Sequence, residues 1–139
     1  MEIKKNQYYL IVHLKPGENL LKSLITVCEK HSIITGVILS GIGQLTEVTL
    51  GYFKENNNYT PELFNETFEL LSLSGTIIPH EETYLPHLHA VIGSERKKTF
   101  GGHLIDATVK VTNEIILLDI PIEISRKKSL VTGLMELSL

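Results

Sequence analysis

Between Tyr8 and Leu14 aromatic and β-branched side chains run almost without interruption and then stop at Lys15-Pro16-Gly17, which predicts a strand ending in a turn. The period then changes. Leu20, Leu21, Leu24, Ile25 and Cys28 recur at helical spacing while Lys22, Ser23, Glu29 and Lys30 fall on the other side, predicting one amphipathic helix over residues 18–31. From Thr35 onward the pattern becomes a series of short β-rich runs at 36–42, 48–53, 68–72, 73–78 and 88–92, and later at 108–111, 114–124 and 130–139. Gly41-Ile42-Gly43 and Ser74-Gly75 read as bends or bulges within them. Residues 54–61, with Asn56-Asn57-Asn58, read as an exposed loop. Ile115-Ile116-Leu117-Leu118 has no polar face and predicts a strand covered on both sides. A single helix cannot cover a sheet this large, so part of the sheet must be hidden by other elements or by another subunit. The fold class predicted is α/β in its α+β form: a largely antiparallel mixed sheet with one principal helix, in a single domain over residues 1–139.

Candidate chemistry concentrates in two motifs, Pro86-His87-Leu88-His89 and Gly101-Gly102-His103-Leu104. On a strand, residues i and i+2 share a face, so His87 and His89 would converge. His103 follows fourteen residues after His89, behind two glycines that let a backbone approach closely and turn. Three neutral imidazoles with a fourth position left for water describe an open zinc-type site, and zinc or another divalent metal is the cofactor expected. The plain alternative is a His-x-His on a solvated face. His13, His31 and His80 have no such company; His31 falls near the helix end, where an imidazolium interacts favourably with the dipole.

Charge narrows the partners. The chain of 139 residues carries 13 Lys and Arg against 16 Asp and Glu, a formal net charge of −3, which opposes a polyanion such as duplex DNA. Arg96-Lys97-Lys98 and Arg126-Lys127-Lys128 are short basic runs of the kind usually found in solvated turns. The single cysteine, Cys28, excludes an intramolecular disulfide and lies on the apolar helix face, where a buried inert thiol is expected. With no signal-peptide core and no apolar stretch long enough to span a bilayer, no membrane partner and a cytoplasmic location are expected. Gly41-x-Gly43 lacks a third glycine and a following helix, so it is no dinucleotide fingerprint.

Taken in order, Ser40-Gly41-Ile42-Gly43, then Phe68-Glu69-Leu70-Leu71-Ser72-Leu73-Ser74-Gly75, then Pro86-His87-Leu88-His89-Ala90 and Gly101-Gly102-His103-Leu104, resemble the plants-and-prokaryotes-conserved (PPC) domain over residues 8–137. The resemblance is to the stand-alone prokaryotic type, since no Arg-Gly-Arg-Pro hook occurs and Glu66-Thr67 replaces the Gly-Arg of plant members. It implies an antiparallel α/β domain, a homotrimer, a DNA-binding-like classification, and a zinc site at His87, His89 and His103. The fold is also similar to acetolactate decarboxylase, which implies a metal-dependent lyase as an alternative, with Glu69 as acid or outer-shell partner and Arg96 as the only arginine near the histidines in sequence. The leading expectation is a trimer whose metal site binds a small anion or metabolite in a regulatory role. A DNA-associated protein is the other alternative.

Overall fold

The computed structural model describes residues 1–55 and 58–139; Asn56 and Asn57 of the predicted loop lie outside the described residues. In chain order the elements are β1 (Glu2–Asn6), β2 (Tyr9–Leu14), α1 (Leu20–His31), β3 (Gly36–Phe53), β4 (Tyr59–Phe64), β5 (Phe68–His80), β6 (Thr83–Gly93), β7 (Thr99–Asp119), β8 (Ser125–Lys128) and β9 (Met135–Ser138). Seven strands form one sheet in the order β1-β2-β7-β6-β5-β3-β4, and β3 also pairs with β7, so the sheet closes on itself. Each of these strand pairings is antiparallel, so the expected α+β class, a largely antiparallel sheet with one principal helix, holds, with no parallel pair among the described residues.

The helix begins two residues later than its apolar period suggests, because the Asn19 side chain caps it by accepting from the Lys22 N–H at 3.0 Å. Leu20, Leu24, Val27 and Cys28 are fully buried in the core, where the helix packs chiefly on β6 and β7 and which also holds Leu10, Val12, Leu14, Ile115 and Leu117. No helix is long and apolar enough to cross a membrane among the described residues.

Several predicted short strands are halves of long bent ones. Residues 36–42 and 48–53 are both parts of β3, whose register against β7 shifts at four places; Glu47 adopts a left-handed φ of 51° there. Bulging lets one strand serve β4, β5 and β7 in turn. Likewise 68–72 and 73–78 are one strand, β5, while β7 runs through both 108–111 and most of 114–124. Two edge strands escaped the hydrophobic pattern. β1 is Glu-Ile-Lys-Lys-Asn with four of its five residues exposed, and β4 carries Pro61. The expected loop at 54–61 therefore ends at β4, which begins at Tyr59. Arg126 lies in β8 and not in a turn; the turn follows, at Ser129–Leu134, and only residues 135–138 of the expected final strand are β structure.

The strand at Ile115–Leu118 is covered on one side only within a chain. Ile115 and Leu117 are fully buried toward α1, whereas Ile116 is 39% exposed on a face shared with Tyr9, Ile11 and Ile42.

Candidate metal centre

Strand geometry assembles the three histidines. His87 and His89 point to one face of β6 while Leu88 and Ala90 fill the core behind them, and His89 lies directly opposite His103 in the β6–β7 register. The ring centroids stand 5.3 Å (87–89), 5.3 Å (87–103) and 5.5 Å (89–103) apart. One nitrogen from each ring lies within 4.8 Å of the others. The Gly101-Gly102 pair does not turn the chain, as the sequence suggested; it continues β7 as strand. Its value is close approach, since a Cβ on Gly102 would stand 2.9 Å from the Gly51 carbonyl oxygen.

The donor set fits a divalent metal. Three nitrogens each about 2.0–2.1 Å from a tetrahedral zinc are separated by roughly 3.4 Å, so small side-chain rotations close the observed spacing. Nδ1 of His103 is buried without a hydrogen-bond partner, an uncommon state for a polar atom unless an unseen group satisfies it. Burial, then His87, His89 and Arg126, push the His103 pKa down to about 4; burial, then Arg126 and His89, lower that of His87. Both rings are therefore held neutral, the form that ligates metal.

A testable pH dependence follows for the metal-free protein. The folded state releases the His103 proton at about pH 4 and an unfolded histidine does so near 6.5, so stability contributed by this ring is fully present above about 6.5 and declines as pH falls toward 4. With allowance for solvent screening of a half-buried ring, the loss is about 1–2 kcal/mol. Urea denaturation at pH 7.5 and pH 5 should show a smaller acid-induced loss for His103→Gln than for the parent chain; equal losses would contradict it.

Around the triad the structure adds residues the sequence did not nominate. Tyr59 meets His103 edge-on, with centroids 5.7 Å apart. Arg126 arrives from β8: Nη2 donates to the Thr76 hydroxyl at 3.1 Å and Nη1 to the Met135 carbonyl at 3.1 Å. Thr76 is the cross-strand partner of His87, which places this guanidinium beside the histidines. Tyr59, Leu85, Pro86, His87, His103, Arg126 and residues 134–137 line a cavity of about 590 Å³, within the usual range for small-molecule sites.

Other nominated residues lie elsewhere. Glu69 accepts from Gln44 Nε2 at 2.9 Å and pairs with Gly93, five residues along β5 from the Ser74 that faces His89, so it is not gathered with the triad. Arg96 sits in the turn closed by Ser94 and Lys98. Cys28 is buried and its thiol is pushed up to about 12, chiefly by burial, consistent with an inert role. At the end of α1, His31 has its pKa lowered by burial and then by Lys5 and Lys30, so the protonated form expected at a helix C-terminus is disfavoured.

The family model described as the Plants and Prokaryotes Conserved (PCC) domain matches residues 1–121. A Bacteroides thetaiotaomicron protein, provisionally described as DNA-binding, shares 29% identity with a TM-score of 0.93, covering 99% of this chain and 96% of that one. A metal-containing protein from Archaeoglobus fulgidus shares 26% identity with a TM-score of 0.86, over 99% and 96% of the two chains. The bifunctional protein GlmU of a Synechococcus strain is 32% identical over 91% of this chain, which spans only 19% of that protein's length.

Proposed function

Given that the chain belongs to the Plants and Prokaryotes Conserved domain family, we propose that it is a homotrimeric binding protein whose His87, His89 and His103 hold a divalent metal facing a small-ligand cavity. The observation that carries this reading is the convergence of three imidazole nitrogens within 4.8 Å, with two of the three rings, His87 and His103, on the wall of that cavity. Zinc is the metal the donor set suits, and when bound it would polarise an oxygen of a ligand as a Lewis acid. The chain's own residues orient that ligand: Tyr59 buttresses His103, and Arg126 supplies a cation on the adjoining wall. Support for a metal also comes from the Archaeoglobus relative, described as metal-containing. A small anion or metabolite bound in a regulatory role is the function proposed. Glu69, the acid suggested for lyase chemistry, stands away from the triad, so turnover is not part of the proposal.

Assembly as a trimer is supported by the apolar face of Tyr9 (56% exposed), Ile11 (56%) and Ile42 (49%), which a second copy of the chain would cover. DNA association, the description given to the Bacteroides relative, gains little here because Arg126 turns inward to Thr76 and Met135, leaving the second basic run with Lys127 and Lys128.

Calorimetric zinc titration combined with light scattering tests the reading. One zinc per chain and a mass of three chains are expected. Metal uptake unchanged by His87→Ala would defeat the metal centre, and a dispersed monomer at micromolar concentration would defeat the trimer.

A further inference from the structure

We propose that Arg126 makes this site a reader of small carboxylates with a short apolar body, and that the C-terminal β8–β9 hairpin, not the histidine strands, sets ligand choice. The inference rests on the metal-centre reading and names the ligand class for it. Its first ground is charge. Among the described residues Arg126 has no salt-bridge partner, and the only carboxylate on the cavity wall, Glu136, is engaged by the Thr132 hydroxyl at 2.7 Å. A partly buried guanidinium beside three imidazoles that would carry a dication leaves positive charge uncompensated, which costs free energy unless an anion joins it. The second ground is geometry. Nη1 and Nη2 are fixed by Met135 and Thr76, so the guanidinium is held in place before any ligand arrives, while Nε is left buried with no acceptor.

The remaining wall decides between anions. Leu85, Pro86, Leu134 and Leu137 offer no donors beyond their backbone and Tyr59 adds a single hydroxyl, so a singly charged carboxylate with a few carbons suits the cavity better than a phosphate, which demands several more hydrogen bonds. The family match ends at residue 121, whereas Arg126, Leu134 and Leu137 all follow it. The metal donors thus belong to the matched segment and the ligand reader to the hairpin, whose lead-in Thr35 ties down by donating to the Ile122 carbonyl at 2.7 Å.

Cobalt(II) in place of zinc gives a visible spectrum that reports ligands entering the metal's surroundings. With the full cobalt-loaded chain, 3-methylbutanoate should shift that spectrum saturably, 3-methylbutanamide should not, and inorganic phosphate should act only at higher concentration. Arg126→Gln should weaken the carboxylate response by about 10-fold or more while leaving cobalt uptake intact. Equal response to the amide, stronger response to phosphate, or an unchanged Arg126→Gln would overturn the inference. If no cobalt is taken up, the metal reading fails alone; the carboxylate inference is then decided on the metal-free chain. There 3-methylbutanoate should move the Arg126 Nε–H NMR signal, and an unmoved signal would overturn it even if the variant did not fold.

Discussion

Replacing His103 with alanine is expected to weaken zinc binding by on the order of 100-fold or more, beyond the 10–100-fold that loss of a mere outer-shell partner costs. The two β6 histidines would remain, but two nitrogens on one strand leave half of a tetrahedron to solvent. Folding should survive. His103 is a half-buried ring whose Nδ1 has no partner, so truncation removes an unsatisfied polar atom along with the edge contact to Tyr59. Those terms oppose one another, and the net change in stability should stay within about 1 kcal/mol. Zinc calorimetry and thermal melting of the same sample separate the two effects. Undiminished zinc affinity in a folded His103→Ala protein would sink the tri-histidine centre.

The legible part of this site is the part built from local periodicity. A His-x-His inside an apolar run can be placed on one strand face without knowing any other element, and Gly101-Gly102 marks a close backbone approach before its neighbour is known. Pairing His89 with His103 needed only that the two runs be adjacent antiparallel strands. Arg126 was illegible for the opposite reason. Its neighbour Thr76 is 50 residues away in sequence, and three consecutive basic residues look alike until the strand alternation turns one inward. Tyr59 was hidden in an asparagine-rich stretch beside Pro61, a composition that reads as loop even where an edge strand forms. The mixed outcome at Ile115–Leu118 has a similar origin. Hydrophobicity specifies that a face be covered, and only three-dimensional context says whether the cover is α1 or another copy of the chain.

Gly75→Ala is expected to be the most damaging single methyl in the site's framework. Gly75 has φ +133°, a conformation alanine rarely adopts, and its added Cβ would lie 2.0 Å from the His87 carbonyl oxygen and 3.0 Å from the Leu88 Cα. Both obstacles are backbone, so no side-chain rotation relieves them. β5 would have to move away from β6 at the register where Gly75 faces Leu88 and Thr76 faces His87, disturbing the wall that carries both Arg126's anchor and the first histidine of the proposed metal centre. A loss of about 3–5 kcal/mol is expected, the range of backbone strain and overpacking combined. For a domain of this size that corresponds to a melting temperature lower by roughly 10 °C or more. Gly17 provides the internal comparison: it too is left-handed, at φ +84°, but nothing lies within 4 Å of its missing Cβ. Gly17→Ala should therefore cost only the conformational term, about 1–2 kcal/mol. Parallel thermal and urea melts measure the difference between strain alone and strain plus collision. Equal destabilisation by the two substitutions would mean that the β5–β6 contact behind His87 is looser than its geometry shows.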